Sequence, residues 1–137
     1  MLTVAEYEDL ASTILDKYEY PFHRVVVRLS KKMKRGIAHV KISKKTITLS
    51  FDWFDCNGAD FAVYILKHEI AHLKYPDHSP AFKRECLRMG IKSKAILKNK
   101  DIAKYGWHAP DGLKMDGIAT RWAPRQYCRY EDCEELV

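Results

Sequence analysis

The chain has 137 residues, 47% of them hydrophobic, and a formal net charge of +6. That length suits one domain with a core of its own, and no apolar run approaches the ~20 residues that a bilayer crossing needs. The acidic, amphipathic start (Met1 to Asp9) reads against a secretory leader, and the four unevenly spaced cysteines fit no disulfide framework, so the expected setting is intracellular, cytoplasm or nucleus.

Thr3 and Glu6 spell a capping box, and Val4, Tyr7, Leu10, Ala11, Ile14, Leu15 and Tyr18 follow at helical spacing. A helix over about 4–18 is predicted, ended by Tyr20-Pro21. Phe22 to Leu29 reads as a first strand. After a basic loop, Ala38, Val40 and Ile42 alternate in a second strand. Ser43-Lys44-Lys45 makes a tight connection, and Ile47, Leu49 and Phe51 alternate in a third. His23 and His39 are expected at the surface. Trp53 and Phe54 are expected beneath the next helix, and Cys56 and Cys86 are read as small buried thiols.

Asn57-Gly58 then marks a turn, with Asp60 placed to cap a helix whose stripe is Ala62, Leu66, Ile70 and Leu73. Pro76 stops that helix. Ser79-Pro80 opens another, Ser as N-cap and Pro at the first helical position, running to about Met89 with Gly90 at its end. A short helix near 94–98 is the only feature expected between Ile91 and Lys104. The elements add up to an α+β fold: a small three-stranded, mainly antiparallel sheet covered by helices.

The chemistry is concentrated in His68-Glu69-Ile70-Ala71-His72. Residues four apart on a helix lie about 40° apart around its axis, so His68 and His72 project side by side. Two imidazoles so placed can grip one zinc ion, with Glu69 in reach through a water molecule. The pair falls outside the apolar stripe, on a flank expected to face a cleft. A catalytic zinc takes a third protein ligand and keeps a position open. His78, pinned just before a helix start, is the natural candidate. Asp77 and Glu85 are the alternatives, since zinc also accepts carboxylate oxygen. The pattern points to a zinc hydrolase in which Glu69 is the general base. Tyr64, Tyr75 or a tail residue is expected to steady the oxyanion, and an extended peptide is expected to lie along a sheet edge.

The charge is unevenly placed. Nine Lys/Arg and no acid fall between Arg24 and Lys45, and nine more between Lys74 and Lys104 against Asp77, Glu85 and Asp101. Two readings stand side by side: a surface for a polyanion such as nucleic acid, held through its phosphates, or solvated lysine-rich faces. A rival to the enzyme follows from the first, a nucleic-acid-binding module whose zinc site is structural. Such a site would be closed by four protein ligands and would not need Glu69.

The combination His68-Glu-Ile-Ala-His72, His78-Ser-Pro-Ala-Phe82-Lys and Leu87-Arg-Met-Gly90 resembles the SprT-like (Spartan-type) zinc metallopeptidases, with features of their YgjP-like relatives. The resemblance spans about residues 1–104. It implies a minimal zincin-like core with His68, His72 and His78 as zinc ligands and Glu69 as base. It also implies a substrate class, proteins bound or crosslinked to DNA, and so a DNA-binding, DNA-repair setting in which segments 24–45 and 74–104 meet nucleic acid. Residues 105–137 depart from the family. Its members often end in a zinc ribbon with two CxxC pairs. Here Cys128, Cys133 and His108 give three ligands where a structural site needs four. The segment is therefore expected to be a degenerate ribbon or a packing extension, with Trp107, Trp122 and Tyr127 as anchors.

Overall fold

The computed structural model describes residues 1–33, 36–92 and 105–110. The first helix, α1 (Val4–Lys17), begins on the expected box. The Thr3 hydroxyl accepts the Glu6 N–H at 3.1 Å, and the Glu6 carboxylate accepts the Thr3 N–H at 2.8 Å. Two donors that helix geometry leaves orphaned are thereby satisfied. The buried stripe Tyr7, Ala11, Ile14 and Leu15 faces the core.

Three strands follow, β1 (Val26–Ser30), β2 (Ala38–Lys41) and β3 (Thr46–Ser50). β2 and β3 form the expected antiparallel pair, joined by a 3-10 turn over Ile42–Lys44 and by Lys45 in the left-handed region at φ 46°. β1 departs from expectation. It lies on the far side of β3 and runs parallel to it, giving the order β1-β3-β2. The sheet is therefore mixed rather than mainly antiparallel. Period-two alternation fixes which face a strand buries and leaves the direction of its neighbour open. Here Val27, Ile47 and Val40 align in one row and Leu29, Leu49 and Ala38 in the next, making one apolar face. Pairing starts at Val26 rather than Phe22, because Val26 is where the chain first meets a partner, the carbonyl of Lys45 just ahead of β3. The next N–H, on Val27, points outward and donates to the Glu8 carboxylate of α1 at 3.0 Å. A side chain thus occupies the open edge of β1.

The remaining helices are α2 (Phe51–Asp55), α3 (Ala59–Lys74) and α4 (Pro80–Arg88). Phe51 starts α2 instead of ending β3; the last strand bond on that side is from the Ser50 N–H to the Ile37 carbonyl, at 2.8 Å. Within α2, Trp53 and Phe54 are buried against Phe61 of α3, with ring centroids 6.1 and 5.0 Å away. α3 is the centre of the molecule and packs on α1, β2 and α4. Its N-cap is Gly58, not Asp60. Cys86 is buried as expected, whereas Cys56 is exposed.

Residues 105–110 form a strap over the start of α3. The Asn57 side chain bonds both backbone groups of His108, each at 2.8 Å. Trp107 donates its indole N–H to Asp60 at 3.1 Å and sets its ring edge-on to Phe61 and Tyr64, both at 5.2 Å. The expected helix near 94–98 and residues Cys128, Cys133, Trp122 and Tyr127 lie outside the described residues. No described helix is long and apolar enough to cross a membrane.

Candidate metal centre

Most helices bury one stripe; α3 buries nearly every face from Phe61 to His72. Phe61 and Ile65 are covered as fully as Ala62, Leu66 and Ile70, and Tyr64 is buried too, the mark of a central helix. His68, Glu69 and His72 are each 0% exposed. The single stripe left the two histidines on a flank expected to face a cleft; here both are fully covered. They lie inside the molecule. Burying polar groups is costly unless they have partners or a ligand to hold.

The chain leaves α3 at Tyr75, where an extended backbone ahead of Pro76 ends the helix. It turns back at once. Ser79 caps α4, its hydroxyl accepting the Phe82 N–H at 3.3 Å, and Pro80 opens the helix. This tight return brings His78 to the pair on α3. Ring centroids are 4.9 Å apart for His68 and His72, 4.7 Å for His72 and His78, and 6.1 Å for His68 and His78.

One nitrogen of each of the three lies within 4.8 Å of the others, and among the described residues these three are the group able to share one ion. Zinc-to-nitrogen bonds are about 2.0–2.1 Å, so the three nitrogens would draw closer together to share an ion. Their chemistry fits as well. His72 Nδ1 is 3.2 Å from the Tyr75 carbonyl; as a donor there, it leaves Nε2 with its lone pair for a metal. Burial, and then the neighbouring His72 and His78, push the pKa of His68 well below its ordinary value. The neutral imidazole that results is the form that binds metal.

The other candidate ligands stand apart. Asp77 is exposed. Glu85 is buried but turned to the back of α4, where Tyr20 Oη donates to it and Arg88 grips both its oxygens, at 3.0 and 2.6 Å. Burial pushes the Cys86 thiol up to about 12, with Glu85 and Glu69 adding to the shift, so it stays protonated. His23 is exposed and pairs with Asp16, and half-buried His39 is outside the group. Tyr64 holds its hydroxyl proton strongly, chiefly through burial. The Glu85–Tyr20 pairing carries no sequence signal, since its partners are 65 positions apart. Arg88 is readable at three residues from Glu85 on one helix.

The model of the SprT-like family matches residues 7–100 of the chain. Among solved structures, the chain is similar to the metallopeptidase zymogen abylysin of Pyrococcus abyssi. Identity is 31% over 74% of this chain and 97% of that one, with a TM-score of 0.57. It is also similar in fold to the metallopeptidase zymogen jannalysin of Methanocaldococcus jannaschii, at 22% identity over 72% of this chain and 96% of that one, with a TM-score of 0.53. None of the curated proteins matches.

Proposed function

The chain belongs to the SprT-like family, and from that premise we propose that it is a zinc-dependent endopeptidase with His68, His72 and His78 as ligands and Glu69 as general base. The observation that carries the proposal is the convergence of the three imidazoles to within 4.8 Å on a helix that also carries Glu69. Zinc held there would supply a Lewis acid to polarise the scissile carbonyl and acidify a water molecule. As general base, Glu69 would take the proton from the attacking water and pass it to the leaving amine. The Tyr75 carbonyl keeps His72 in the tautomer that presents Nε2.

The substrate on this reading is a protein segment in extended form. β3 is the middle strand and Glu8 occupies the outer edge of β1, which among the described residues leaves β2, the strand that packs on α3, as the edge for it. The DNA-bound proteins cut by Spartan-type members are the substrate class we infer. Arg24, Arg28, Lys31, Lys32, Lys41, Lys44 and Lys45 are all exposed, which supports a phosphate-facing surface. Glu69 is wholly buried, and abylysin is described as a zymogen. Both support a latent form that opens before it cuts. The rival, a binding module with a structural zinc, requires a fourth protein ligand.

Zinc content and cleavage of a DNA-binding protein test the proposal, with and without single-stranded DNA and before and after limited proteolysis of the chain. Wild type is expected to bind one zinc per chain and to cleave. Glu69→Gln is expected to keep the zinc and lose turnover; His72→Ala is expected to lose both. Cleavage by Glu69→Gln at the wild-type rate would overturn the mechanism. Zinc binding without cleavage under any condition would favour the binding module.

A further inference from the structure

Phe82 is fully buried, and its ring touches all three histidines of the candidate centre. It stacks on His72, with centroids 4.1 Å apart and planes 19° from parallel. It meets His68 and His78 nearly at right angles, each with centroids 5.1 Å away. The ring has no hydrogen bond to offer and no atom to give a metal. Its backbone is fixed by the same cap that follows His78, through the Ser79 hydroxyl and the Phe82 N–H. One apolar ring therefore sits where the two chain segments that bring the imidazoles must meet.

We propose that Phe82 is a positioning residue for the metal centre: it holds the three imidazoles near their ligating arrangement before any ion arrives. A histidine side chain has two rotatable bonds, and fixing them on binding weakens affinity unless packing has fixed them already. For His72 the stacked ring sets the plane and the Tyr75 carbonyl sets the rotation within that plane, so Nε2 keeps one direction. An imidazole that binds a dication also becomes electron-poor, and the face of a benzene ring favours positive charge. This inference rests on the zinc reading given above.

Zinc affinity of the full chain, measured by competition with a chromogenic chelator, tests it in wild type, Phe82→Leu and Phe82→Met. Leu and Met keep the site apolar and nearly filled, so the fold has two chances to survive. Thermal unfolding of the metal-free proteins and the visible spectrum of bound Co2+ are read alongside. Both variants are expected to bind zinc about 10-fold more weakly, the lower end of the range for losing a hydrogen-bonded partner of a metal ligand, since the ring supports the imidazoles by packing alone. Their Co2+ bands are expected to shift from the wild-type positions. Zinc affinity equal to wild type in the folded variants, whether or not their stability falls, would overturn the inference and make Phe82 a core residue only. Failure of wild type to bind zinc would remove the metal centre itself and this inference with it.

Discussion

The two ends of α3 are buried by opposite chemistry. At its start, Phe61 and Tyr64 sit in a box of rings with Trp53, Phe54, Tyr105 and Trp107, tied by one indole bond and the Asn57 clamp. At its end, imidazoles and a carboxylate are buried as completely as the rings are. The first arrangement gains stability from apolar area removed from water. The second spends some of it, since a polar group leaves water at a cost. One helix therefore joins a part that holds the fold to a part the fold has to hold. Variants at the two ends should separate stability from metal affinity.

The largest separation is expected at the strap. Trp107→Ala removes a ring that is 7% exposed and leaves Phe61 and Tyr64 uncovered, at about 3–5 kcal/mol of unfolding free energy. Urea unfolding of the metal-free protein checks the loss, and chelator competition should show the zinc affinity of the folded variant unchanged. A large fall in zinc affinity would mean that the strap reaches the centre and that the two ends are not independent.

The same contrast holds between two buried carboxylates. Glu69 lies on the turn of the histidines on α3, and Glu85 lies on α4, where Arg88 and Tyr20 bond its carboxylate. Burial alone would raise the pKa of Glu85; the hydrogen bonds from Arg88 and Tyr20 outweigh it and hold the group below its ordinary value. A folded-state pKa below the unfolded one, about 4.3 for Glu, gives stability that is full at neutral pH. It is lost as pH falls through the folded value. Arg88→Met strands the buried charge and is expected to cost about 2 kcal/mol, below the figure for a fully buried pair because the Arg88 side chain is 42% exposed. Acid unfolding followed by circular dichroism should then begin at higher pH than in wild type. An unchanged acid limb would mean that Arg88 does not set the charge of Glu85.

The legibility of the sequence follows the same division. The pair on α3 was readable because His68 and His72 are one helical turn apart, and His78 because Ser79-Pro80 announces a helix start. Short-range rules govern both. The parallel seat of β1 on β3 was not readable, because alternation specifies faces and not neighbours. Nor was the burial of the centre. The stripe of Ala62, Leu66, Ile70 and Leu73 describes a helix covered on one side. Tyr64 and Phe61 are covered too, by a strap more than 40 residues away in the chain. Asp60 shows the limit most clearly. Its type and place suit a helix cap, and its side chain accepts both the neighbouring Phe61 N–H and the Trp107 indole N–H, the second a partner no local pattern names.

The smallest effect is also the sharpest comparison, because it sets two N-caps of like chemistry against each other. Thr3 caps α1 far along the chain from the centre, and Ser79 caps α4 between His78 and Phe82. Replacing either by Ala removes one hydroxyl acceptor and is expected to cost about 1 kcal/mol. Ser79 should fall at the lower end, since its bond to the Phe82 N–H is long at 3.3 Å. Zinc affinity should not follow that order. Ser79→Ala loosens the turn that presents both His78 and the ring behind it, so it should weaken zinc binding more than Thr3→Ala, which should leave it at the wild-type value. Equal affinity in both variants would show that the tight return after α3, and not the cap, holds His78 in place.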